Sequence, residues 1–164
     1  MFDVEIKESI NKLREYSYDF VKFYKNDSRD DVKRVSKEAI KCLDFIVNEI
    51  LRIRDNYKEA GIYRNSDFSG SLREYCGKEY QSANVTERQS IIRIPILPNP
   101  NTSIRFESMI TKFKHRERAH FRIEVNNSHI IIFSARAFND IPESIVEFNV
   151  QDFCQKAENV AKYI

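Results

Sequence analysis

Residues 116–133 read RERAHFRIEVNNSHIIIF, and the fold turns on this stretch because the hydrophobic period changes inside it. Phe121, Ile123 and Val125 alternate with Arg122 and Glu124. Asn126-Asn127-Ser128 is turn material, and His129 to Phe133 is an apolar, β-branched run. This pattern predicts a β-hairpin. On either side the period is helical. Phe106, Met109, Ile110 and Phe113 share one face of a helix predicted over Ser103 to Arg116. A polar loop with Asn139, Asp140 and Pro142 follows the hairpin. Asn149 then caps a last helix that buries Val150, Phe153, Cys154, Ala157, Val160, Ala161 and Ile164.

Further out, residues 61–103 carry weaker signals. Asn65 to Gly70 reads as a turn, Leu72 to Tyr80 as a short helix, and Thr86 as the cap of another. Ile91, Ile92, Ile94, Ile96 and Leu97 form an extended apolar run, which Pro95, Pro98 and Pro100 bar from a central strand. An irregular connection laying these residues on the helices is expected. At the start, Ile6, Ile10, Leu13, Phe20 and Tyr24 recur at helical spacing within Phe2 to Lys25, interrupted by Ser17. Ser28 with Asp31 resembles a capping box. Behind it Val32, Val35, Ala39, Leu43, Ile46, Ile50, Ile53 and Tyr57 form a narrow apolar seam that Gly61 closes. The short link between these helices predicts an antiparallel hairpin. The predicted fold class is mostly α, a bundle of about four main helices with a small β-hairpin before the C-terminal helix, in one domain over residues 1–164.

The 164 residues are 41% hydrophobic and 32% charged, which supports one core and argues against a disordered chain. Three Gly and four Pro speak against a turn-rich β-sandwich and against a Gly-rich nucleotide loop. No apolar run approaches the roughly 18 residues of a membrane span. The N-terminal MFDVEIKESI carries acidic residues where a signal peptide needs basic ones. Cys42, Cys76 and Cys154 are scattered and read as reduced thiols, so a cytoplasmic location without membrane association is expected. Cys42 and Cys154 read as buried and Cys76 as exposed. The net charge of +2 makes any anionic partner a matter of a local patch.

That patch is the segment Lys112 to Arg122. From Arg105 to Arg122 there are six Lys/Arg residues (105, 112, 114, 116, 118, 122) against Glu107 and Glu117, with His115 and His120 among them. A basic cluster can bind phosphate, and at a helix C-terminus it can equally serve only to complement the macrodipole. Imidazole suits general acid–base work near neutral pH, and guanidinium suits a developing phosphorane charge. His129 begins a strand and alternates with core positions, so it reads as structural. No cysteine has a neighbour at metal-ligand spacing, so neither a metal nor a cofactor is expected.

The order of helix hairpin, variable connection, helix ending in KHRERAHFRIE, short hairpin and last helix opening at Phe148-Asn149-Val150-Gln151-Asp152-Phe153 resembles the HEPN superfamily. The resemblance covers residues 104–164 better than the helical hairpin. It implies a small all-α domain of toxin–antitoxin or anti-phage defence systems that acts on RNA as a metal-independent endoribonuclease. Alternatively, it implies a non-catalytic module binding a partner protein or nucleic acid. In the first case His120 is the acid/base, Arg116 the phosphate clamp and His115 a further catalytic candidate, with Lys112, Lys114, Arg118 and Arg122 binding RNA. The family's usual spacing sets the Arg at Phe113, Lys114 or His115, so Arg116 stands one residue closer to His120. The resemblance also implies a homodimer that pairs two motifs, and a cognate antitoxin or defence protein as partner. Ile91 to Leu97 and the aromatic residues Tyr16, Tyr18, Phe20, Phe23 and Tyr24 are the candidate dimer surface, although core packing also accounts for the aromatics.

Overall fold

A computed structural model describes residues 2–82, 84–124 and 126–164; Val125, counted above in the hairpin's alternation, lies outside them. Two long helices open the chain, α1 (Phe2–Lys25) and α2 (Arg29–Glu59), as their periodicity predicts. They form a hairpin about a turn in which Asp27 takes φ 53°. The α2 seam is buried from Val35 through Ile53. Ser28 stands at the α2 N-cap position, but its side chain makes no capping bond. Gly61 follows the C-cap with φ 71°, the left-handed conformation that glycine adopts without strain.

Beyond α2 the chain departs from a helical bundle. α3 (Asp67–Leu72) is followed by β1 (Tyr75–Gln81), α4 (Val85–Ser90), β2 (Thr102–Arg105) and α5 (Phe106–Lys114). Then come β3 (Arg116–Ile123), β4 (His129–Ala135), β5 (Ser144–Asn149) and α6 (Val150–Ala161). The strands form one antiparallel sheet in the order β2-β1-β5-β4-β3. The fold is therefore mixed α+β, which corrects the expected mostly-α bundle. The expected hairpin exists as β3 and β4, but it is part of a five-stranded sheet.

Each departure has a local cause. The helix expected over Leu72 to Tyr80 is replaced by the end of α3 and by β1. Gly77 there takes φ 94°, and a Cβ at this position would lie 2.4 Å from the Glu147 carbonyl oxygen, so β1 and β5 meet where only glycine fits. Asn65 to Gly70 is not a simple turn, because the Ser66 hydroxyl accepts from the Ser69 amide and starts α3. Asn84, not Thr86, caps α4. The first residues of the helix expected from Ser103 form β2, and the helix itself runs from Phe106 to Lys114. β5 is a short run covered on both sides, so it shows little alternation. The last helix is as expected, with the Asn149 side chain accepting from the Gln151 and Asp152 amides.

Helices α1, α5 and α6 cover one face of the sheet, and α2 packs outside them against α1 and α5. The core between these layers includes Ile10, Leu13, Leu43, Ile46, Phe113, Phe133, Phe148 and Phe153. Phe113 meets Phe133 edge-on at 5.2 Å. Burying one such side chain contributes about 1.5–3 kcal/mol. On the outer face Ile91 and Leu97 cover Ile132 and Ile145. The run Ile91 to Leu97 thus lies on the sheet, not on the helices as expected. All seven residues of β4 are buried because both of its faces are covered. Cys76 is buried on β1, correcting its expected exposure. Among the described residues no helix is long and apolar enough to cross a membrane.

Candidate functional site

The basic segment divides between the two faces of the sheet. α5 ends at Lys114, His115 is its C-cap, and β3 begins at Arg116 as the edge strand beside β4. A register shift between Arg116 and Arg118 marks a bulge. Arg116 turns toward the helices. Its guanidinium donates two bonds to the Asp44 carboxylate on α2, at 2.7 and 3.0 Å, and lies over the Phe113 ring. Beyond the bulge Ala119 and Phe121 also pack on the helical core. His120 lies between them and pairs with Ile132, which belongs to the outer cluster, so strand alternation aims its ring at the outer face. Strand alternation thus sets the Arg116 and His120 side chains toward opposite faces, although both residues border the cleft described below.

The other candidates are also dispersed. Lys112 is buried, with its Nζ 2.6 Å from Glu79 Oε2 and 2.9 Å from Ser144 Oγ. That position corrects its assignment to an RNA-facing surface. His115 stacks on Phe138 at 3.6 Å. Arg122 donates to the Pro95 carbonyl and pairs with Glu147 at 2.7 Å on the outer face. Glu117 is taken by Arg88 of α4 at 2.9 Å. Of the segment's cations, Lys114 and Arg118 are exposed. Burial lowers the pKa of His120, helped by Arg118, and burial lowers that of His115, helped by Lys114. Both imidazoles are biased toward the neutral form.

What the segment does border is a cleft. The β3 edge supplies Arg116, Ala119, His120 and Phe121; α1 supplies Phe20 and Tyr24; α2 supplies Val32, Ser36, Lys37, Ile40 and Lys41. The cleft holds about 620 Å³. Its walls are mainly apolar, with the exposed Lys37 and Lys41 among the α2 residues at its margin. Of the cleft residues, Phe20 and Val32 belong to the predicted core stripes, whereas Ser36 and Ile40 lie outside them. The available signal was a second stripe, Val32, Ser36 and Ile40 at one-turn intervals beside the main seam.

His129 is structural, as expected. The first residue of β4, it is 2% exposed, its Nδ1 lies 2.8 Å from the Ser17 hydroxyl, and its ring stacks on Phe20 at 4.2 Å. This bond accounts for the serine that interrupts the α1 stripe. Among the described residues no group of three His, Cys, Asp or Glu side chains converges as a metal site. Burial raises the Cys76 and Cys154 thiols to about 12, so neither is a nucleophile at neutral pH. No protein-family model, no curated protein and no solved structure matches the chain.

Proposed function

We propose that this protein is a non-catalytic interaction module that holds a partner protein in the cleft between β3 and the α1–α2 hairpin. The observation that carries this reading is the mainly apolar cleft of about 620 Å³ lying against an edge strand. Apolar concavities with a few polar groups at their margin are where proteins bind ligands and partners. The endoribonuclease alternative has less support. Arg116 is engaged by Asp44, His120 projects to the other face, and Lys112 and Arg122 are used in ion pairs. An RNA-cleaving centre needs an acid, a base and a charge stabiliser converging on one phosphate.

The test is selection of a displayed random-peptide library on the immobilised full chain. The parallel arm uses Ser36→Trp, which fills the cleft from a half-buried position on α2. Peptide families recovered by the wild type and lost in Ser36→Trp are expected. Recovery of no family that depends on the open cleft would sink the proposal. Cleavage of an end-labelled single-stranded RNA in the presence of chelator, abolished by His120→Ala, would reinstate the nuclease reading.

A further inference from the structure

We infer that the cleft takes its partner as an added β-strand: an extended segment of alternating apolar and acidic residues that pairs with the free edge of β3. The inference rests on the cleft being the binding site and specifies what enters it.

β3 runs for eight residues at the end of the sheet, with β4 as its one neighbouring strand among the described residues. Its outward main-chain groups are a template for a further strand. The groove beside that edge has a helix for its far wall. A strand added to β3 continues the sheet's pleat, so its side chains alternate between the two faces as those of β3 do. On the helical face they enter the cleft and meet Phe20, Val32, Ile40 and Phe121, which calls for apolar residues. On the outer face they lie beside Arg118, His120 and Arg122; Arg122 is already paired with Glu124 and Glu147, so the exposed Arg118 is the group that calls for acidic residues there. The exposed Lys37 and Lys41 add positive charge at the rim.

A second copy of this chain fits less well than an isolated strand. Edge-to-edge pairing would bring a second helical layer against the α1–α2 roof on the same face. It would also bring together two copies of the exposed Arg118, the β3 arginine not held in an ion pair with Asp44, Glu124 or Glu147 as Arg116 and Arg122 are.

The probe is the fluorescein-labelled heptapeptide Val-Glu-Val-Asp-Val-Glu-Val, with its terminus amidated, titrated into the full chain and read by fluorescence polarisation. Saturable binding is expected, weakened at least about tenfold by Ile40→Glu, which puts a charge in the apolar wall. Ser36→Trp, an independent plug, should act likewise. Circular dichroism checks that both variants are folded. Two N-methylated forms of the peptide identify the mode. Methylating one alternate set of amides should cost about a hundredfold, through loss of about three main-chain bonds, and methylating the other set should cost little. Arg118→Glu should lower affinity about threefold, and a peptide with lysine in place of the acidic residues should recover it.

Binding that both cleft variants remove but neither methylation pattern changes would overturn strand addition and leave the interaction module standing. Absence of binding at millimolar peptide would overturn the acidic–apolar assignment, while the library selection judges the cleft separately. Binding that survives Ile40→Glu and Ser36→Trp would overturn both.

Discussion

His129 shows how one buried residue sets a property of the whole chain. Its imidazole sits between Phe20 and Phe121 with the Ser17 hydroxyl on Nδ1, and burial lowers its pKa from the ordinary 6.5 to about 3. The folded protein therefore refuses a proton that the unfolded chain accepts below its ordinary value. Stability is complete above about pH 6.5 and falls as the pH drops toward 3, with a slope of about 1.4 kcal/mol per unit from this residue. His115 and His120 are lowered as well and act in the same sense. His129→Phe keeps an aromatic ring against Phe20 and removes the titration. Denaturant unfolding of this variant between pH 6 and pH 4 should show a shallower loss of stability than the wild type. An identical slope would mean that the folded state accommodates the imidazolium. The same residue marks what one residue's context conceals. A serine in an apolar stripe and a histidine at a strand start are 112 positions apart, and only the fold shows that each answers the other.

At the scale of elements, α5 is locked to the sheet by Lys112, which reaches Glu79 on β1 and Ser144 on β5 from a position 7% exposed. Removing one member of a buried pair leaves the other uncompensated. Lys112→Met should therefore cost about 3–5 kcal/mol, and adding Glu79→Leu should recover most of it. A thermal or denaturant double-mutant cycle measures this, and equal stability of the single and double variants would remove Lys112 as a lock. The long helices were legible because a three-and-four repeat over several turns has few other readings. β1, β2 and β5 were not. β1 reads YCGKEYQ, with no clean alternation and a glycine required by its approach to β5. β2 has four residues, and β5 is buried on both faces, which removes the period-two signal. The placement of Arg116 was hidden for a related reason. Reading Arg116 as the end of a helix put it beside His120, whereas a bulged strand turns the two side chains to opposite faces. The cleft needed the placement of α2 over the edge of β3, which no local pattern encodes.

At the scale of the molecule, the two edges of the sheet are unequal. β2 closes one side with four residues, while β3 leaves eight on the other. A long open edge invites copies of a chain to join unless charge or cover opposes them. Here α1 and α2 roof one side of the edge, and the arginines of β3 line it with positive charge. Arg116 and Arg122 are held by Asp44 and Glu147, so Arg118 is the exposed member of the three. Replacing it by valine removes that charge and raises the strand's β-propensity. In sedimentation velocity the wild type should remain a monomer at concentrations where Arg118→Val self-associates, and added salt should move the wild type toward the variant by screening the same charge. A wild-type dimer unaffected by salt would instead point to the outer face, where Ile92, Ile94 and Ile96 are 42%, 63% and 62% exposed. Like charge that keeps copies apart is also the charge that draws an acidic strand in. The same arginine thus excludes one occupant of the edge and favours another, so specificity at this edge comes from repulsion as much as from attraction.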